Sequence, residues 1–245
     1  VTAVADNNTI TFKALADDTY SNCKISVDNN SNMSDNLSVS PFTIDTTAPT
    51  LDNVTIASNN SVSTLAKIGD NITLSITFEE AIQTPSVSIA GQAADTVTSA
   101  DNITWSATYT MVDNNSEGTV SLNIGFFDLA GNAGSAITST TNGSVVRFDS
   151  EAPTLLDNLT IASSNSVSTL AKTGDNITLS ITSAEAIQTP SVSIAGQTAT
   201  VTGSGTSWSA AYTMAEARDE GSVSLNIGFS DLAGNAGSAV TSTTN

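Results

Sequence analysis

The chain contains a long internal repeat, and this repeat constrains its fold more than any other feature. The segment LDNVTIASNNSVSTLAKIGDNITLSIT begins at Leu51, and LDNLTIASSNSVSTLAKTGDNITLSIT begins at Leu156, 105 residues further on. A second shared segment, DLAGNAGSA, occurs at 128–136 and again at 231–239. Near-identical segments in the same order indicate consecutive domains of one fold.

Within each copy, apolar and polar residues alternate with a period of two. Residues 71–78, NITLSITF, carry an apolar side chain at every second position, as in a strand with one buried face. No part of the sequence sustains a helical period. Several such strands with turn signals between them predict an all-β fold of antiparallel sandwiches. The alternating residues expected to point inward in the middle copy are Leu74, Ile76, Phe78, Trp105, Tyr109, Leu122, Ile124 and Phe126.

The two copies differ in length at one place. Trp105 matches Trp208, only 103 residues later, so the second copy is two residues shorter than the initial offset requires. The difference falls between AGQAADTVTSADNITW and AGQTATVTGSGTSW, where Gly, Ser and Asp mark a hairpin turn. A turn can absorb this change without disturbing the flanking strands.

The repeat also predicts the domain organisation. We expect residues 1–47 to be the C-terminal part of one sandwich, 48–151 a complete sandwich, and 152–245 a sandwich that lacks its last strand, because SVVRFDS at 144–150 has no later counterpart. The joints DTTAPT and DSEAPT contain Pro49 and Pro153, which fix φ and favour extended backbone before them. Joints this short predict domains held in line as an extended rod.

Charge and composition exclude several classes of partner and site. With 24 acidic and 6 basic residues, the net charge of −18 repels nucleic acids and anionic lipid surfaces. No apolar run is long enough to cross a membrane, so we expect no direct membrane insertion. The chain has no histidine and one cysteine, Cys23, which excludes an internal disulfide and a Cys/His zinc site. In register with Ile25 and Val27, Cys23 is predicted to be a small buried hydrophobe.

The residues that could serve catalysis or sugar binding have simpler interpretations. Glu79 and Glu80 are adjacent, so in a strand they point to opposite faces and cannot flank one glycosidic bond. In the other copy the pair is Ala184-Glu185. No histidine is present to activate a serine, so we predict that the protein is not an enzyme. Trp105 and Trp208 could stack on sugars, but each shares its face with core-forming residues.

The sequence resembles the bacterial immunoglobulin-like (Big-type) domains strung in tandem through large surface adhesins. The resemblance rests on DTTAPT, AKIGDNITLSITFEEAI, GTVSLNIGFFDLAGN and SVVRFDS in this order, and it covers essentially the whole chain. It implies tandem immunoglobulin-like sandwiches in an extracellular protein at the cell surface. Their role would be that of a structural spacer or stalk, which holds a distal binding region away from the cell and contacts neighbouring repeats.

Two alternatives remain beside the spacer. The first is a self-assembling extracellular filament, in which copies of the chain complete one another's domains by strand exchange. The half-domain at 1–45 is the expected donor of that strand. The second is a carbohydrate-binding module that uses the tryptophans. Contacts between chains would distinguish the filament, and glycan binding would distinguish the module.

The D-L-A-G-N loop has two interpretations. Its aspartate, Asp128 or Asp231, either accepts hydrogen bonds from nearby backbone N–H groups in a turn, or joins other carboxylates around a cation. The resemblance implies calcium at or near the joints, and Ca²⁺ requires six to eight oxygen ligands, so distant segments would have to contribute. We expect Asp128 to act with Glu80 or Asp149, and Asp231 with Glu185.

The candidate calcium ligands are Asp45, Glu80, Asp128, Asp149, Glu151, Glu185 and Asp231, with Glu79, Asp70 and Asp175 as further carboxylates. In the leading segment DNNSN replaces D-L-A-G-N, which makes Asp28 a weaker candidate.

Overall fold

The alternating segments fold as β-strands throughout the computed structural model, which describes residues 3–6, 9–12, 15–26, 33–216 and 220–243. The described residues contain no helix. Almost all strand pairs are antiparallel, as the sequence predicts.

The leading segment contains three two-stranded antiparallel sheets. Strand β1 pairs with β2, β3 with β6, and β4 with β5. The strands are β1 (Ala3–Asp6), β2 (Thr9–Phe12), β3 (Asp18–Tyr20), β4 (Lys24–Ile25), β5 (Leu37–Ser38) and β6 (Phe42–Ile44). Tyr20 stacks on Phe42 with ring centroids 5.3 Å apart. Cys23 is half-buried, not fully buried as predicted, and it lies just before the two-residue strand β4 and not within a strand. Asp28 lies outside the described residues.

The middle domain has ten strands. They are β7 (Leu51–Ser58), β8 (Leu65–Ala66), β9 (Asn71–Phe78), β10 (Ser86–Ile89), β11 (Gln92–Ala93), β12 (Thr96–Ser99), β13 (Thr104–Thr110), β14 (Gly118–Thr119), β15 (Leu122–Gly125) and β16 (Arg147–Phe148). One sheet has the order β12-β13-β9-β7, and a second has the order β11-β10-β15. A short third sheet, β14-β16-β8, contains a parallel pair between β16 and β8.

The core of the middle domain lies where the alternation places it. All eight residues predicted to point inward are buried, which confirms that prediction. Phe78 and Phe126 contact each other with ring centroids 4.6 Å apart. Since successive residues of a strand point to opposite faces, the sequence period alone identified the buried face of β9 and β13.

The third domain repeats the two main sheets. Its strands are β17 (Thr160–Ser163), β18 (Asn176–Thr182), β19 (Ser191–Ile194), β20 (Gln197–Thr198), β21 (Thr200–Ser204), β22 (Ser207–Thr213) and β23 (Leu225–Gly228). The sheets have the orders β17-β18-β22-β21 and β20-β19-β23. Leu179, Ile194 and Ile227 are fully buried, and Trp208 packs against this core while half-buried.

The length difference between the copies is shared by two neighbouring connections: one residue is lost before β21, where residue 199 alone replaces 94–95, and one in the hairpin that follows. Residues 100–103 connect β12 to β13, whereas residues 205–206 connect β21 to β22. Both connections contain a residue in the left-handed region, Asn102 with φ of 59° and Gly205 with φ of 60°. The strands on either side keep the same pairing in both domains.

The two domains differ at the edge where β16 lies. In the middle domain Ala66 of β8 and Phe148 of β16 are paired in one sheet, and both are buried. The residues of the third domain that match β8 are Leu170 and Ala171, and both are exposed, Leu170 at 62%. Apolar surface that is covered in the middle domain is therefore accessible in the described part of the third.

Candidate functional site

Three acidic residues meet where the leading segment joins the middle domain. Asp45 directly follows β6, Glu80 follows β9, and Asp128 follows β15. A carboxylate oxygen from each lies within 4.8 Å of the other two. The end of the sheet brings Asp128 there, since it forms an isolated bridge with Ile82, two residues after Glu80. Asp128 is only 1% exposed, while Asp45 and Glu80 are half-buried.

The D-L-A-G-N loop is a turn closed by its own aspartate. Asp128 Oδ1 accepts hydrogen bonds from the backbone N–H groups of Gly131 at 2.6 Å and Asn132 at 2.7 Å. Its Oδ2 accepts one from Asn132 Nδ2 at 2.6 Å. Burial acts to raise the pKa of Asp128, but the hydrogen bonds from Asn132 and Gly131 outweigh it and lower the pKa. With φ of 101°, Gly131 occupies a conformation that favours glycine, so the acid, the glycine and the asparagine each have a structural role.

The same turn recurs in the third domain. Asp231 Oδ1 accepts hydrogen bonds from Gly234 N at 2.6 Å and Asn235 N at 2.8 Å, and Oδ2 accepts one from Asn235 Nδ2 at 2.7 Å. The turn interpretation of the sequence therefore describes both loops. These bonds use three of about four acceptor sites on each carboxylate, so the turn does not by itself exclude a cation at the remaining site.

Each loop also holds the joint before its domain. Asn132 Nδ2 donates to the backbone oxygen of Asp45 at 3.0 Å, and Asn235 Nδ2 donates to that of Asp149 at 2.8 Å. Sequence reasoning did not assign this role to the asparagines. The available signal was the presence of an asparagine at this position in both copies of D-L-A-G-N.

The clustered carboxylates repel one another at both joints. Burial raises the pKa of Glu80, and the charges of Asp45 and Asp128 raise it further. Burial likewise raises the pKa of Glu185, with added repulsion from Asp149 and Asp231. These shifts have one physical cause, namely desolvated like charges in close proximity.

At the second joint Asp149, Glu185 and Asp231 interact electrostatically, but among the described residues only Asp45, Glu80 and Asp128 bring their carboxylate oxygens within 4.8 Å of one another. The pKa of Asp149 is raised by burial first, and then by the charges of Asp231 and Glu117. Asp149, Glu185 and Asp231 thus correspond to Asp45, Glu80 and Asp128 one domain earlier. Of the two partners expected for Asp128, Glu80 lies in its group, whereas Asp149 lies against the loop of the third domain through Asn235.

The chemistry of the first group fits a hard cation. The group offers only oxygen ligands, and the ion pairs among the described residues are Lys67–Asp70 and Lys172–Asp175, neither of which neutralises it. With one ligand oxygen from each carboxylate, as the group is arranged, Ca²⁺ would still lack part of the six to eight oxygens it takes, so backbone oxygens or water would supply the rest.

Other predicted carboxylates lie outside these groups. Glu151 is exposed, and its backbone N–H donates to Asp149 Oδ1 at 3.2 Å. Asp70 forms an ion pair with Lys67, and Asp175 forms one with Lys172. Glu79 and Glu80 lie in a bend after β9 and not in a strand as the sequence analysis assumed; the side chain of Glu79 is exposed and accepts a hydrogen bond from Thr50, while Glu80 is half-buried.

The tryptophans form part of the cores. Trp105 is buried, and its Nε1 has no hydrogen-bond partner. Trp208 is half-buried, and its Nε1 donates to Gly205 O at 3.1 Å. Neither ring is a flat exposed platform of the kind that a sugar-binding module requires.

Comparison with known families agrees with this architecture. Residues 45–145 match the family described as bacterial Ig-like domain. This segment is a bacterial Ig-like domain. The match runs from the first joint acid through the D-L-A-G-N loop, and over these residues it confirms the resemblance inferred from the sequence. Bacterial Ig-like domains usually occur in surface or extracellular proteins and are typically structural.

Neither the solved structure compared with the chain nor the curated proteins provide a close match to it. The chain is similar to the solved structure titled "Crystal Structure of Rst D1-D2", with 10% identity over 78% of this chain and 97% of that chain. The TM-score is 0.32, which is too low to establish a shared arrangement. A search of curated proteins finds none that matches. The described part of the chain has no helix long and apolar enough to cross a bilayer.

Proposed function

We propose that the chain is a structural spacer in an extracellular stalk on a bacterial surface, where it holds a distal binding region away from the cell. The observation that carries this proposal is the pinned joint. Asn132 and Asn235 each bond to the backbone of the linker that precedes their domain. Two Ig-like domains whose short linkers are fixed by hydrogen bonds are suited to maintain a distance and an orientation. They are not suited to enclose a substrate.

The joints have further contacts that favour a fixed linker. Pro49 and Pro153 are both buried, so the extended backbone that they impose is packed against protein. Glu151 N and Thr47 N donate to the acids that open their linkers, Asp149 and Asp45. Restricted linkers reduce the tumbling of one domain against the next, which supports a rod.

Calcium at each joint is the second part of the proposal. Asp45, Glu80 and Asp128 would hold one ion. The corresponding acids, Asp149, Glu185 and Asp231, would hold another. A bound cation would offset the repulsion that raises the pKa of Glu80 and Glu185, and it would link the linker acid to the domain that follows. Glu151 is left out of this set because its side chain is exposed.

Small-angle X-ray scattering of the whole chain tests the spacer. For a spacer we expect an elongated particle. As a control, neutralisation of Asp95, an exposed acid outside the acidic groups, should leave the maximum dimension unchanged. Addition of EDTA then measures how far calcium contributes to that length. A compact particle in both conditions would contradict the spacer.

One observation favours the filament as a second candidate. The exposed Leu170 and Ala171 present an edge like the one that β16 covers in the middle domain. In a filament of this kind, residues 39–46 of another copy would occupy that edge, since PFTID matches VVRFD at β16. Sedimentation of the chain over a range of concentrations distinguishes the two, because strand exchange produces growing oligomers and a spacer remains monomeric.

A further inference from the structure

The middle and third domains are joined by a hydrogen bond that lies outside the linker. Asn60 Nδ2 donates to the backbone oxygen of Ala233 at 2.8 Å. Ala233 belongs to the D-L-A-G-N loop of the third domain, and Asn60 follows β7 of the middle domain. The same Nδ2 donates to Asp70 Oδ2 at 2.7 Å, so both amide hydrogens have acceptors. One of them holds the side chain in its own domain, and the other reaches across to the next.

The orientation of Asn60 is fixed by its surroundings. Its Oδ1 accepts a hydrogen bond from Val62 N at 3.0 Å, so the amide nitrogen must face Asp70 and Ala233. Burial acts to raise the pKa of Asp70, but hydrogen bonds from Asn60 and Lys67 outweigh it and lower the pKa. Asp70 is therefore a charged acceptor at neutral pH, and it keeps the donor in place.

Lys67 adds an apolar contact on the same loop. A Cβ placed on Gly234 would lie 3.4 Å from Lys67 Cε and 3.7 Å from Cδ, so the lysine stem passes directly over this glycine. The matching glycine of the middle domain, Gly131, has open space around it. Long charged side chains commonly cover apolar surface in this way while the ammonium group pairs elsewhere, here with Asp70.

Comparison of the two copies shows what this contact buries. Ala233 is 3% exposed, whereas Ala130, at the same position of the other loop, is exposed. The Lys67 side chain is 35% exposed, whereas that of Lys172 is 75% exposed. The sequences of the loops and of the lysine segments are nearly the same, so the difference in burial follows from contact between the domains.

The third domain carries a second, unoccupied copy of the contact surface. Asn165 Nδ2 donates to Asp175 Oδ2 at 2.9 Å, and its Oδ1 accepts from Val167 N at 3.1 Å. Lys172 Nζ lies 3.2 Å from Asp175 Oδ1. Among the described residues, the other hydrogen of the Asn165 amide has no protein acceptor. The surface is therefore built and oriented in the same way as around Asn60 without a loop docked on it.

We infer that Asn60, Lys67 and Asp70 form a docking surface for the D-L-A-G-N loop of the domain that follows, and that Asn165, Lys172 and Asp175 form the same surface for the loop of a further Ig-like repeat. The docked loop fixes the rotation of one domain against the next. This inference deepens the spacer proposed above by naming its repeat-to-repeat contact, and it does not depend on calcium.

The two surfaces provide a matched pair of variants. In the 245-residue chain with Cys23→Ser, spin labels are attached at Thr98→Cys and Thr202→Cys, two exposed positions on β12 and β21, and their distance distribution is measured in EDTA. Asn60→Ala and Asn165→Ala each remove the amide bonds within their own domain, but only Asn60→Ala removes a bond between domains. We expect Asn60→Ala to broaden the distribution by about twofold or more and Asn165→Ala to leave it narrow.

A second pair approaches the contact from the loop. Ala233→Leu overfills the docked position, while Ala130→Leu changes the exposed counterpart. We expect only Ala233→Leu to broaden the distribution. This pair keeps the inference open to test if Asn60→Ala impairs folding of the middle domain, which circular dichroism would reveal.

An extended chain tests the free surface. A copy of residues 143–245 added after Asn245 continues the natural order, since STTN at both positions would then precede GSVVRFDS. With labels at Thr202→Cys and at its added copy, Asn165→Ala should now broaden the distribution and Asn60→Ala should not.

Narrow distributions in all variants, or equal broadening by Asn60→Ala and Asn165→Ala in the original chain, would overturn the docking inference. An elongated particle with a broad wild-type distribution would refute docking and leave the spacer standing.

Discussion

The side chain of Asn132 holds the backbone of Asp45, with 3.0 Å between Nδ2 and the carbonyl oxygen and 87 positions between them in the chain. The same amide donates to Asp128, so one side chain closes the turn and pins the linker. Asn235 does both at the next joint, with Asp149 and Asp231 as its acceptors.

Loss of this amide should loosen the joint and weaken the turn. We expect Asn235→Ala to destabilise the third domain by about 1–3 kcal/mol, because the buried Asp231 carboxylate loses a donor. Limited proteolysis should also cut the DSEAPT linker faster. Asn226→Ala, an exposed strand position of the same domain, is the control and should change neither measurement. Unchanged cleavage in Asn235→Ala would show that the linker is held by other contacts.

The two tryptophans should differ in their contribution to stability. Trp105→Ala should cost about 3–5 kcal/mol because the buried ring leaves a cavity. Trp208→Ala should cost less, since its ring is half-buried. Denaturant unfolding followed by circular dichroism measures both. An equal cost for the two variants would contradict the difference in burial.

A second glycine of the repeated loop should tolerate no side chain. A Cβ on Gly134 would lie 2.1 Å from Phe126 Cε2, and one on Gly237 would lie 2.2 Å from Phe229 Cε2. Forcing these rings aside in a packed core should cost about 1–3 kcal/mol for Gly134→Ala. Thermal or denaturant unfolding measures the loss, with Ser135→Ala at the exposed neighbouring position as the control. Wild-type stability of Gly134→Ala would mean that Phe126 can repack freely.

Calcium should stabilise the chain if the acidic groups hold it. An ion bound only by the folded state adds about 2.7 kcal/mol at a hundredfold excess over its dissociation constant, so the melting temperature should be higher in calcium than in EDTA. Glu80→Gln should remove the contribution of the first joint without disturbing the turn. Asp128→Asn is a poorer test, because its carboxylate also closes the loop. Identical melting of the wild type in calcium and EDTA would count against the metal site.

In EDTA, stability should pass through a maximum in mild acid. The pKa of Glu80 and Glu185 is raised from 4.5 in the fold, so the native state binds protons more readily there and stability increases as pH falls through that raised value. The pKa of Asp70 and Asp128 is lowered from 3.8, so their contribution is complete above 3.8 and is lost as pH falls further. Melting temperatures measured from neutral pH to about pH 3 would reveal the maximum. Glu80→Gln with Glu185→Gln should flatten the gain above pH 4.5, and an unflattened profile would assign the gain to other groups.

Much of the fold could be predicted from the sequence because its signals are local. The period of two identifies which side of β9 and β13 faces the core, since strand geometry alternates side chains without reference to the rest of the chain. The repeat shows that the middle and third domains share one fold, and the shorter copy confines the difference in length to the segment from β20 to β22. The composition of D-L-A-G-N indicates a turn, because Asp, Gly and Asn have the conformational and hydrogen-bonding properties that turns require.

The tertiary structure decided which segments meet. Sequence reasoning allowed Asp128 to act with Asp149, but the structure places Asp45 beside it and Asp149 beside Asp231. The contact between Asn60 and Ala233 joins residues 173 positions apart, and no local pattern refers to it. The alternation of apolar and polar residues shows which face of its own strand a residue lies on. The contacts at a joint depend instead on how the two domains pack. The sequence by itself therefore determined the repeated sandwich and its core, and only the packing of one domain against the next determined the acidic groups and the docking surface.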